Sequence, residues 1–181
     1  MKLNKFQELS KRTMPFDGEP KNNVEYENGL TNYALGLIGE CAEVLGAAND
    51  REAILKEIGD VAHYAFGLLT FLGEPYNINS LVYYVPEDSK EKLINKIIIL
   101  SGEVSEQIKK FIYHRHELNS TKVITTLKIL IKNLIALAKK YDSSLEHICE
   151  MNIDKLKMRY PESFNVEDSK KRVDTEKQGV K

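Results

Sequence analysis

Two acidic pairs stand at mirrored positions in two adjacent apolar segments, and few folds can satisfy that arrangement. Residues 36–72 read GLIGECAEVLGAANDREAILKEIGDVAHYAFGLLTFL. The polar Asn49-Asp50 step divides this stretch into two apolar, helix-forming halves. The first half carries Glu40 and Glu43, the second Glu57 and Asp60. Residues spaced i, i+3 share one side of a helix. In an antiparallel hairpin pivoting near residue 50, Glu43 faces Glu57 and Glu40 faces Asp60, because each pair is equidistant from the pivot. Four carboxylates are therefore expected to converge.

At ~100° per residue, Gly36, Glu40, Glu43 and Ala47 fall within ~60° of one another. The remaining circumference of that helix is largely Ala, Leu, Ile and Val. The Glu57/Asp60 side of the second helix also carries Ala53, Val61, Tyr64 and Leu68. Helices apolar nearly all round are expected to be substantially buried. Four ionised carboxylates facing each other there would repel and lose hydration, at roughly several kcal/mol per uncompensated ion. A positive charge must sit among them, either a divalent cation or a Lys/Arg side chain. The local cations, Arg51 and Lys56, are few and lie near the turn. Hard Mg²⁺ or Mn²⁺ suits a cage made only of carboxylates.

The 181-residue chain is long enough for one domain with a sizeable core. A net charge of −1 gives no bulk electrostatic case for a nucleic-acid partner. No uninterrupted apolar run is long enough to span a membrane, and the opening MKLNKFQELSKR lacks the apolar core of a signal peptide. Cys41 and Cys149 are far apart on apolar helical positions, which fits buried free thiols and a cytoplasmic protein.

Along the chain, residues 2–12 form an amphipathic helix with Leu3, Phe6 and Leu9 on one side. Residues 13–28 follow as a polar loop, either a surface connection or a lid over a nearby site, anchored by Phe16 and Tyr26. The acidic helices are expected at about 30–48 and 51–72, and Asn32 lies two turns before Glu40 on an adjacent face. The tyrosine-rich residues 75–86 read as an irregular or short helical segment, with Val82-Tyr83-Tyr84-Val85 as a candidate brief strand. Glu87-Asp88-Ser89 caps a third long helix, about 89–114. A turn near 117–120 leads to a return helix at about 122–141, and Ser143-Ser144-Leu145-Glu146 opens a last helix that Pro161 ends. The charged residues 162–181 are expected to be a disordered tail.

Gly102-Glu103-Val104-Ser105-Glu106 repeats the pattern of Gly39-Glu40-Cys41-Ala42-Glu43. The repeat suggests duplicated helical hairpins packed as a pseudo-symmetric four-helix bundle. The return helix of the second copy holds Lys122, Lys128, Lys132, Lys139 and Lys140 and no acid, so Glu103 and Glu106 would face Leu134 and Ile131. That copy is not expected to hold a metal. Its acids would pair with lysines or face the first site across the bundle. Asp60 and His63 resemble half of a di-iron motif, which needs a second copy that the chain lacks. His114 and His116 fall at the tip of the second hairpin, as a basic surface patch.

Glu40-x-x-Glu43 followed by Glu57-x-x-Asp60 resembles the ExxE…ExxD metal motif of MazG-type nucleotide pyrophosphohydrolases, in the all-α NTP pyrophosphatase superfamily. The flanks agree, as do Phe6-Gln7-Glu8-Leu9 and the closing Asn152-Ile-Asp-Lys155-Leu-Lys-Met-Arg159-Tyr160-Pro161. The resemblance covers most of residues 1–165 in islands. It implies an all-α fold of four long helices with shorter terminal ones, over residues 1–161. It also implies metal-dependent hydrolysis of a nucleoside triphosphate to the monophosphate and pyrophosphate. Glu40, Glu43, Glu57 and Asp60 would be the Mg²⁺ ligands, and Glu43 or Glu40 would instead orient or deprotonate the water. Asn152, Lys155 and Arg159 share one helical face and would contact the substrate phosphates. The resemblance implies a homo-oligomer, since members of that family often assemble as dimers or tetramers, although the internal repeat would let one chain supply a full bundle. The degenerate second half also fits a non-catalytic nucleotide-binding or protein-interaction module descended from such an enzyme.

Overall fold

The computed structural model describes residues 1–77 and 86–171. These form helices α1 (Leu3–Ser10), α2 (Asn23–Gly46), α3 (Arg51–Phe71), α4 (Lys90–His114), α5 (Ser120–Lys140), α6 (Leu145–Arg159) and α7 (Val166–Lys171). No strand occurs among the described residues, so the fold is all-α. The candidate strand Val82–Val85 lies outside them. No helix among the described residues is long and apolar enough to cross a membrane.

Side-chain caps fix where the long helices begin. Asp50 Oδ1 accepts from the Ala53 amide at 3.0 Å, so the polar step between the acidic pairs doubles as the start of α3. Asn22, Ser89, Asn119 and Ser144 cap α2, α4, α5 and α6 in the same way. The Asn22 cap lets α2 begin about two turns before the apolar run that marked its start in the sequence. The expected loop before α2 is therefore short. It consists of two tight turns, Lys11–Thr13 and Pro15–Gly18, with left-handed backbone at Phe16, Asp17 and Gly18.

The bundle is built from two antiparallel hairpins, α2–α3 and α4–α5, with α2 against α4 and α3 against α5. Helix α6 lies across α3, and α1 packs on α3 and α6. Helix α3 thus has neighbours on every side, and thirteen of its residues are buried, from Ile54 to Phe71. Helix α2 sits nearer the edge. It buries Leu30, Tyr33, Ala34, Leu37, Cys41 and Val44 but leaves Leu35, Ile38 and Leu45 exposed. Both acidic helices are expected to be substantially buried; α3 is, whereas α2, covered mainly by α3 and α4, keeps part of its apolar surface exposed.

Close packing of α2 on α3 depends on glycines at the contact, Gly29 against Phe71 among them. A Cβ on Gly36 would lie 2.2 Å from the Tyr64 ring, and one on Gly67 would lie 2.1 Å from the Tyr33 ring. Each helix therefore receives the other's tyrosine in a notch that any larger residue would fill. Cys41 and Cys149 are buried free thiols, as expected.

Candidate metal centre

The hairpin brings three of the four acids together. One carboxylate oxygen from each of Glu40, Glu57 and Asp60 lies within 4.8 Å of the others. Glu43 lines the same cavity, of about 290 Å³, but stays exposed and outside that triad. The reason lies in the helix geometry. Glu40 is on the half-buried side of α2, next to the notch that holds Tyr64, whereas Glu43 has turned toward solvent. Asn32 and Lys56 of the same hairpin also line the cavity, with Thr13, Lys155, Arg159 and Phe164 from elsewhere.

Electrostatics follow from this crowding. Burial, then the charges of Asp60, Glu43 and Glu57, push the Glu40 carboxyl up from 4.5 to about 8. Burial, followed by Asp60 and Glu43, also raises Glu57. A carboxyl held protonated near neutral pH by its neighbours is one that a cation would help to ionise.

A cation from the chain already neutralises one member. The Lys155 ammonium donates to both Asp60 oxygens, and Asn152 Nδ2 donates to Asp60 Oδ1 at 2.7 Å. The sequence allows a Lys or Arg as the compensating charge, but the cations local to the acids there are Arg51 and Lys56, and the resemblance places Lys155 on phosphate. The pairing spans 95 residues and could be seen only once α6 was laid across α3. The third residue of that face, Arg159, also lines the acidic cavity. Its guanidinium sits 5.4 Å from the Tyr160 ring and Nη2 donates to the Ser169 carbonyl at 3.3 Å.

His63, which the sequence offers only as half of a di-iron motif, pairs instead with Tyr33 behind the acids. Tyr33 Oη and His63 Nε2 are hydrogen-bonded at 2.9 Å. Burial drives His63 down to about 4, so its ring is neutral near pH 7. His63 Nδ1 is buried without a hydrogen-bond partner among the described residues. His63 and Tyr64 follow Asp60 at i+3 and i+4, so their sequence spacing already placed them beside the acid.

Residues after α6 close one side of the cavity. Arg12 Nη2 donates to the carbonyls of Tyr160, Pro161 and Glu162 at 2.7, 2.9 and 3.0 Å. These bonds hold the first turn after α1 against the end of α6, and Thr13, Tyr160 and Phe164 line the cavity from there. Residues 162–171 of the expected tail are described and include α7; residues 172–181 lie outside the described part.

Glu103 and Glu106 do not join this centre. Glu106 pairs with Lys109 at 2.5 Å and Lys110 at 3.4 Å on its own helix, and Glu103 is exposed. Leu134 and Ile131, opposite them by the mirror rule, are fully buried core residues.

Compared with known proteins, the chain matches no family model, no curated protein and no solved structure.

Proposed function

We propose that this protein is a MazG-like enzyme that hydrolyses a nucleoside triphosphate to the monophosphate and pyrophosphate with the help of Mg²⁺ or Mn²⁺. The observation that carries the reading is the convergence of Glu40, Glu57 and Asp60 oxygens within 4.8 Å of one another, in a cavity that also holds Glu43, Lys155 and Arg159. The all-oxygen donor set and the raised Glu40 carboxyl fit a hard divalent cation. Glu40, Glu57 and Asp60 would hold it, with Glu43 at the mouth. Such a cation neutralises a triphosphate and lowers the pKa of bound water.

In this reading the chain's own groups orient and shield the reaction. Glu43, exposed at the cavity mouth, or Glu40 accepts a proton from the attacking water. The water oxygen bonds to the α-phosphorus as the bond to the pyrophosphate oxygen breaks. Lys155 and Arg159 bind phosphate oxygens, and Asn152 steadies Asp60. The neutral His63–Tyr33 pair backs the site without adding charge. Free buried thiols fit work in the cytoplasm. The exposed Leu35, Ile38 and Leu45 on α2 would serve as the contact face of a homo-oligomer.

One observation favours a second reading, a non-catalytic nucleotide-binding or protein-interaction module. The Lys155–Asp60 pair neutralises part of the cluster from within the chain. Pyrophosphate release separates the two readings. Purified protein is incubated with Mg²⁺ and a panel of standard and damaged nucleoside triphosphates. Metal-dependent release from at least one substrate, lost in Glu57→Gln, is expected. No release from any of them rejects the enzyme.

A further inference from the structure

Lys155 stands in the wall between two cavities. Beside the acidic cavity, a second one of about 650 Å³ opens between the first turns of α3 and one face of α6, and Lys56 and Lys155 line both. Asp60 is heavily engaged on the Lys155 side. Its Oδ1 accepts from Lys155 and Asn152, and its Oδ2 accepts from Lys155. An sp² carboxylate oxygen offers two lone pairs. Oδ1 is therefore filled, and the ammonium sits where it repels any cation approaching the same carboxylate. An ammonium cannot itself act as a ligand. A divalent cation that takes Asp60 together with Glu40 and Glu57 finds only the second lone pair of Oδ2 open and meets the ammonium beside it, so displacing Lys155 favours its binding.

The second cavity can receive the displaced group. Asn152 Oδ1 and Ser143 Oγ are buried and have no hydrogen-bond partner among the described residues, and both residues line this cavity. The Asn152 carbonyl oxygen is an acceptor one helical turn from Lys155, within reach of its ammonium. Arg51 and Lys56 bring further positive charge to this cavity, with the exposed Glu52 and Asp142 at its rim. Arg51 is held in place by its bond to the Tyr141 carbonyl at 3.1 Å.

We propose that Lys155 is an exchangeable counter-ion, which neutralises Asp60 until a divalent cation binds and then turns into the second cavity, beside Arg51 and Lys56, to hold the distal phosphates of the substrate. This rests on the pyrophosphohydrolase reading for the identity of the phosphates. The cation and the polyphosphate then bind with positive coupling, because each removes Lys155 from the position that opposes the other.

The test is titration calorimetry of the full chain with Mn²⁺ alone at about pH 8.5, where protons compete least for Glu40. Wild type, Lys155→Met and Lys155→Arg are compared, with Lys155→Gln in reserve and folding checked by circular dichroism. Lys155→Met is expected to bind Mn²⁺ about tenfold more tightly than wild type, while Lys155→Arg stays within about twofold. Equal or weaker binding by folded Lys155→Met and Lys155→Gln overturns the exchange. Pyrophosphate release by wild type is measured alongside. Release with no gain in Mn²⁺ affinity sinks the exchange and leaves the enzyme standing. Absence of Mn²⁺ binding in every variant together with no release by wild type removes the enzyme reading and this inference with it.

Discussion

The raised carboxyl of Glu40 makes folding stability depend on pH in an unusual direction. In the folded chain this group titrates at about 8 instead of 4.5. Between those values the folded state holds a proton that the unfolded state has released. Stability contributed by protonated Glu40 is therefore present at low pH and lost as pH rises from about 4.5 through about 8. Glu57, raised for the same reasons, adds to the same slope. This reverses the common carboxylate case, in which a paired acid loses stability on acidification.

The perturbation is Glu40→Gln, which keeps the shape and removes the charge. The full shift, at about 1.4 kcal/mol per pH unit, sets a ceiling of about 5 kcal/mol. Glu40 is only half-buried, and solvent screening cuts that to about 2 kcal/mol. For a chain of this length the gain is about 4–8 °C in Tm. Denaturation in EDTA across pH 5–9 is the assay. The variant should exceed wild type by this amount near pH 9, and the two should converge near pH 5. Mg²⁺ should stabilise wild type most at high pH, where the carboxylates are ionised, and should act far less on the variant. Parallel pH curves for the two proteins would refute the claim that the acids are crowded and under-compensated.

Other substitutions separate the roles inside the cluster. Asp60→Asn leaves the Lys155 ammonium, only 14% exposed, without its carboxylate. It should destabilise the fold by about 2–3 kcal/mol in a denaturant melt, whereas Glu57→Gln should be neutral or stabilising; equal effects would contradict the pairing. Both should abolish pyrophosphate release in an activity assay. The double change Glu103→Gln with Glu106→Gln should leave stability within about 0.5 kcal/mol and activity nearly intact, since these acids make only exposed pairs. Gly67→Ala drives a methyl group into the Tyr33 ring and should cost about 1–3 kcal/mol, read as a lower Tm.

Helices α3, α4 and α6 could be read from the sequence because each begins with its own local signal. Asp50, Ser89 and Ser144 are short polar residues just ahead of an apolar period, and each proves to be a cap. The start of α2 was obscured because Asn23–Gly29 is polar and helical at once. The mirror rule brought Glu40, Glu57 and Asp60 together from spacing alone. It could not say that Glu43 would turn outward, because that depends on how much of α2 is covered by other helices. Nor could it find the Lys155–Asp60 pair. A contact between α3 and α6 depends on where a later helix lands on the bundle, and no local periodicity encodes that.

The same logic explains why the two hairpins differ. The bundle needs four helices, and α4 and α5 supply the second pair with Ile97, Val104, Leu127 and Leu134 in the core. Nothing in that packing requires charge at the positions equivalent to Glu57 and Asp60. On α5 these are filled by Ile131 and Leu134, both fully buried. With no acids opposite, Glu103 and Glu106 have no cluster to join, and lysines one turn away satisfy Glu106. On α3, by contrast, Asp60 faces a sixth helix outside the bundle, and that helix brings Lys155 and Asn152. The charged site therefore arises where the first hairpin meets α6. A change in how α6 docks would alter the charge balance of the acids even with all of them in place.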